Sequence, residues 1–142
     1  MDDQVREAFF KQVEMEPFAK KFGLKLLDIN DGYSMVEMQF TPDMENLSGK
    51  AHGGAIFAIV DEAFEIASNS YGKIAVALTM NIAYVSAPSP GKRLVAEAKE
   101  ISQTVDTAAY EIKVFDDHCQ PIASCQGLVY RTPKLLSFLK ND

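Results

Sequence analysis

One carboxylate in this sequence stands where a carboxylate is costly. Asp61 lies in the run from Gly53 to about Ser70, where Ile56, Ile59, Val60, Ala63, Phe64, Ile66 and Ala67 cover most of a helical circumference. A helix that is apolar nearly all round is buried rather than laid on a surface. Phe57, four residues before Asp61, and Phe64, three after, share its face. A carboxyl group inside such a stripe needs a use or a partner. Partial burial raises its pKa, and Glu65, four residues on, repels a second charge on the same face. A carboxylate so placed suits a general base acting on water, or a nucleophile. The helix also permits another reading, an exposed strip of Asp61, Glu62, Glu65 and Ser68, and spacing alone leaves both open.

The start of the same helix carries the second chemical signal. Gly53 and Gly54 lie where loop becomes helix. Glycine lets a backbone approach a ligand closely, and a helix N-terminus offers unpaired N–H groups and a partial positive charge. Together these make an oxyanion hole, with the Gly54 N–H as first candidate donor. Removing one such donor typically costs about 3–4 kcal/mol of transition-state stabilisation. A Gly-Gly pair equally serves close helix packing. His52, just before the glycines, reads as a cap or loop hydrogen-bonder or as a catalytic group, and Asn46 as a turn residue or a substrate contact.

These residues need a scaffold, and the chain supplies one in a legible order. Residues from about Gln4 to Lys21 read as helix, with Pro17 ending or kinking its first part and Gly23 stopping it. Leu24 to Asn30 leads through Asp31-Gly32, a hairpin turn, into Val36, Met38 and Phe40 alternating with Glu37 and Gln39. After the long helix come four strand candidates, Ile74–Ser86, Arg93–Gln103, Ala108–Phe115 and Ile122–Arg131, then a short terminal helix over Leu135–Lys140. Runs of strands with few helices predict an α+β fold, a mostly antiparallel sheet of about six strands wrapped round one long central helix. One helix cannot cover such a sheet, so a second subunit is expected on the remaining edge or face.

Length and composition set the outer bounds. The 142 residues suggest one domain, residues 1–142. An apolar share of 47% with 24% charged residues is ordinary for a soluble globular protein. A net charge of −6 argues against a nucleic-acid surface but leaves room for a local basic patch on a phosphorylated ligand. With two cysteines, Cys119 and Cys125, and two histidines there is no zinc set, and the thiols read as reduced core or near-core groups. The N-terminal MDDQVREAFF has no signal-peptide run, and no stretch is long and apolar enough for a transmembrane helix, so a cytoplasmic location is expected.

The combination resembles a known family. Asn46, His52 six residues on, Gly53-Gly54, and Asp61 nine beyond the histidine resemble the hotdog thioesterases of the phenylacetate-degradation (PaaI-like) type. The segment Met80 to Pro88 is similar to that family's strand after the helix, which ends in a proline turn. The resemblance implies a hotdog fold, and homodimers or homotetramers with active sites at the dimer interface. It implies that Asp61 activates water or attacks the thioester, that the Gly54 N–H polarises the carbonyl, and that His52 and Asn46 position carbonyl and water across the interface. Gly53 and Phe57 are further expected substrate contacts.

One position departs from the pattern. Ala77 stands where the family often has Ser or Thr, and Thr79, two residues on, is expected on the same side of the strand as a replacement. For the CoA phosphates the candidates are Lys92, Arg93 and Arg131, with Lys134 and Lys50 behind them. The expected reaction is hydrolysis of aryl or medium-chain acyl-CoA thioesters, in a pocket drawn from Phe57, Phe64, Met80 or Tyr84, with no metal and no organic cofactor. The alternatives are a hydratase or dehydratase of the same fold, with the histidine as base, and an acyl-CoA binding module without turnover.

Overall fold

The computed structural model describes residues 1–140. Helix α1 (Asp3–Met15) starts at Asp2, whose side chain accepts hydrogen bonds from the N–H groups of Gln4 and Val5. Pro17 breaks it as expected. The proline cannot continue α1, but it opens the short α2 (Pro17–Phe22), which Gly23 closes in the left-handed conformation. Strands β1 (Lys25–Asn30) and β2 (Tyr33–Gln39) form the hairpin across Asp31-Gly32. A 3-10 turn and a loop lead into α3 (Gly53–Asn69), followed by β3 (Lys73–Tyr84), β4 (Arg93–Gln103), β5 (Thr107–Phe115) and β6 (Pro121–Leu135).

All pairings are antiparallel, and the sheet order is β1-β2-β4-β5-β6-β3. Among the described residues this is the expected α+β architecture, six antiparallel strands around one long helix. The sheet curls round α3. Val36, Met38, Leu94, Ala96, Ala98, Ile112 and Val114 meet Ile59, Val60, Ala63 and Phe64 with almost no exposed surface. Small residues on β4 leave room for the helix, and Ser34 secures it by donating to the Ala63 carbonyl at 2.6 Å.

Two expectations about the ends change. The last strand continues to Leu135, and the terminal helix reduces to a single 3-10 turn, Ser137–Leu139. Phe138 fixes that turn by packing edge-on against Phe9 of α1 at 5.1 Å. Packing, rather than helix propensity, decides so short a segment. Of the two thiols, Cys125 is buried on β6, whereas Cys119 is exposed in the β5–β6 turn with φ +58°. Cys119 is thus a turn residue and not part of the core.

Gly127 on β6 shows how close helix and sheet come. A Cβ built there would stand 2.7 Å from the Phe64 ring, which is buried against Tyr110. Gly127→Ala should destabilise the fold by about 1–3 kcal/mol, the usual effect of overpacking a filled core. Urea titration beside wild type checks it, and an unchanged midpoint would show that Phe64 has room to move.

Candidate active site

The helix α3 places its carboxylates against the β3 side of the sheet. Asp61, half-buried, lines a cleft of about 400 Å³ together with Phe18, Phe64, Val76, Ala77 and Val129, and with Glu16, Glu62, Glu65 and Ser68. Burial raises the Asp61 carboxyl above its ordinary value. The exposed-strip reading is thereby excluded. Glu62 is only 2% exposed and Ser68 only 7%, so the acidic face of α3 looks into protein. The Glu62 carboxyl is pushed up to about 9, first by burial and then by the negative charges of Glu16 and Glu65. Glu65 reaches solvent at its rim, yet burial and the charges of Glu16 and Asp61 raise it to about 7.

The N-terminus of α3 is capped by the histidine. His52 Nδ1 accepts the Gly54 N–H at 2.8 Å. Nδ1 is therefore unprotonated, and a neutral ring carries its proton on Nε2. A Cβ at Gly54 would stand 3.0 Å from Nδ1, so glycine permits this close cap. The proposed oxyanion donor thus has a partner already, and an incoming oxyanion must share the N–H or displace the ring. Gly53 lies under Tyr84, whose ring comes within 3.4 Å of a Cβ built on it. Phe57, one turn on, is half-buried.

Asn46 is exposed and organises its own loop. Its Oδ1 accepts from Ser48 N–H and Oγ–H, both at 2.9 Å, and from Lys50 N–H at 3.1 Å. The loop then returns through the Glu45–Ala51 bridge to His52. Asn46 and His52 are thus brought to one end of α3, but Asp61 is not with them. Seven residues separate Gly54 from Asp61, about 10 Å along a helix axis.

The strand after the helix corrects the expectation for Thr79. A bulge at Leu78 makes Ala77 pair with Val129 and Thr79 with the next residue, Leu128. Paired residues share a face, so Ala77 faces α3 with Val129 and Thr79 faces away. Thr79 does not replace the missing hydroxyl. The hydroxyl that does line the cleft is Ser68, one it shares with the Glu65 carbonyl at 3.1 Å.

The cations do not converge within one chain. Arg93 opens β4, where its Nε holds Glu37 at 2.6 Å. Arg131 lies by the other end of β4, donating to the Thr104 carbonyl at 2.8 Å and resting over the Tyr71 ring. The 11 residues of β4 put these ends roughly 33 Å apart at 3.3 Å per residue. Lys92 stays beside Arg93 at the loop end, next to Phe40. The sequence did not single out Glu16 or Phe18 for the cleft. Met15-Glu16-Pro17 carries no local signature beyond a helix break.

This fold is that of a thioesterase. Residues 48–123 match the thioesterase superfamily, and the chain belongs to it. The acyl-coenzyme A thioesterase PaaI of Escherichia coli is 30% identical over 118 residues, 83% of this chain and 84% of that protein. A provisionally named esterase of Archaeoglobus fulgidus is 36% identical over 131 residues, 92% of this chain and 83% of that protein. The structure of the Escherichia coli PaaI protein superposes with a TM-score of 0.88 at 27% identity, covering 92% of this chain and 95% of that one. Within the superfamily the chain is therefore a hotdog thioesterase of the PaaI-like type, a hydrolase of thioester bonds. No helix among the described residues is long and apolar enough to cross a membrane.

Proposed function

We propose that the protein hydrolyses aryl or medium-chain acyl-CoA thioesters to the free acid and CoA, using Asp61 and no metal or organic cofactor in the chemical step. The observation that carries this reading is the half-buried Asp61 carboxyl in a cleft whose apolar wall includes Phe18, Phe64, Val76 and Val129. As general base, Asp61 takes a proton from water as the water oxygen bonds to the thioester carbon. The carbonyl oxygen becomes an oxyanion, and collapse of the adduct breaks the C–S bond and returns the proton to the CoA thiolate. As nucleophile, Asp61 displaces the thiolate, and water then hydrolyses the mixed anhydride. Gly54 N–H is the proposed oxyanion donor, with Gly53 beside it.

A single chain holds Asp61 and Gly54 too far apart for one thioester. We therefore assign the Gly54–His52–Asn46 end of the site to a second protomer. The open edge of the sheet supports this. Strand β3 spans 12 residues and leaves Val76, Leu78 and Tyr84 about half exposed, an edge that soluble proteins pair or cover. A dimer would also bring a second set of cations to the CoA phosphates, Lys92 and Arg93 from one protomer and Arg131 from its partner. A cytoplasmic location suits a CoA ester substrate.

Colorimetric thiol release over a panel of aryl and straight-chain acyl-CoAs tests the reaction, with sedimentation run on the same sample. Cleavage by a dimer or tetramer is expected, and cleavage by a monomer would contradict the shared site. The cleft side of β3 offers Ala77 where the family pattern has a hydroxyl, which favours as second reading a binding module without turnover. Tight binding of CoA esters with no thiol released would select it.

A further inference from the structure

Beside Asp61 the cleft gathers more acid than hydrolysis needs. It is lined by Glu16, Asp61, Glu62 and Glu65, and by no Lys, Arg or His among the described residues. Glu16 caps α2 but makes no side-chain capping bond, so its carboxylate is free to turn toward α3. One carboxyl oxygen from each of Glu16, Glu62 and Glu65 lies within 4.8 Å of the others. Glu62 is 2% exposed, and its buried Oε1 has no hydrogen-bond partner. A buried carboxyl oxygen left without a donor is costly, and here every neighbouring charge has its own sign.

We propose that Glu16, Glu62 and Glu65 form a binding site for a hard divalent cation, which ties α2 to α3 at the rim of the cleft. The donors are all carboxylate oxygens, the ligands of Ca2+, Mg2+ and Mn2+ rather than of zinc or copper. Oxygens about 2.3–2.6 Å from one ion stand up to about 5 Å from each other, which accommodates the observed spacing. The open side of the cleft leaves room for water to complete the shell. Cation and protons compete for Glu16, Glu62 and Glu65, with Asp61 the remaining acid facing them and Ala75 to Ala77 and Val129 the neutral strand wall. The set contains neither histidine nor cysteine. The inference does not rest on the thioesterase reading, since binding is measured without substrate.

The test is calorimetric titration of the chelator-treated protein with CaCl2, MgCl2 and MnCl2 in turn, beside thermal melts in the same salts. At least one cation should bind at one site per chain and raise the melting temperature. Affinity should fall about tenfold or more from about pH 8 to about pH 6, where protons win. It should also fall about tenfold or more in each of Glu62→Gln, Glu65→Gln and Glu16→Gln; the exposed Glu65 keeps the test valid should another variant fold poorly. No uptake of any of the three at millimolar concentration overturns the proposal and leaves the cluster to protons. Uptake unaltered in all three variants places the ion elsewhere and overturns it equally.

Discussion

Asp61→Asn should lower kcat for thioester hydrolysis by roughly 10³-fold, the range for loss of a general base or nucleophile. The amide keeps the shape of the side chain but neither accepts a proton from water nor attacks a carbonyl. KM should change little, because the cleft walls that hold the acyl group are untouched. The fold should not suffer. Burial raises the Asp61 carboxyl, so the folded state holds its proton more tightly than the unfolded chain does. Stability from this group is fully present below the unfolded value and is lost as pH rises through the folded one. Asn removes that penalty, and its melting temperature at neutral pH should equal or exceed wild type. Thiol release and thermal melts on one preparation separate the two effects. Loss of both activity and stability would mean that Asp61 holds the fold instead.

Glu62→Gln should raise stability at alkaline pH and flatten its pH dependence, measured in chelator. The Glu62 carboxyl is pushed from 4.5 to about 9. Between those limits the unfolded chain releases a proton that the folded chain keeps, so the stability of wild type falls as pH rises. One proton contributes a slope of up to about 1.4 kcal/mol per pH unit, softened here because Glu65, also raised by burial, titrates close to it. Glutamine fills the same space and offers an N–H donor to the surrounding carboxylates. The variant should melt several degrees higher near pH 9 and match wild type near pH 4. Equal slopes for the two proteins would show that Glu62 ionises freely in the fold.

The helix and its carboxylate were legible because both rest on local pattern. Apolar residues around most of the circumference of Gly53–Ser70 announced burial, and burial made Asp61 conspicuous. Asp31-Gly32 and the alternation on β2 and β5 announced strands for the same reason. What the pattern missed depends on register and on distant partners. A strict two-residue period placed Thr79 beside Ala77, but one extra residue at Leu78 turned it to the other face. Glu16 meets Glu62 only because Pro17 turns the chain back over α3, an encounter between residues 46 positions apart. The engagement of Gly54 N–H by His52 is likewise a matter of side-chain torsion. Arg93 and Arg131 looked equivalent as basic residues at strand ends, yet the antiparallel order sends them to opposite ends of β4.

The position of the reacting carbon separates a site shared between protomers from one built on a single chain. A crystal structure with a non-hydrolysable aryl-CoA analogue, its thioester sulfur separated from the carbonyl by a methylene, would locate it. A dimer is expected in which the carbonyl carbon lies about 3–3.5 Å from an Asp61 oxygen, or one water away, with its oxygen toward the partner's helix N-terminus. An analogue bound with its carbonyl far from Asp61, in a pocket built from one chain alone, would contradict it.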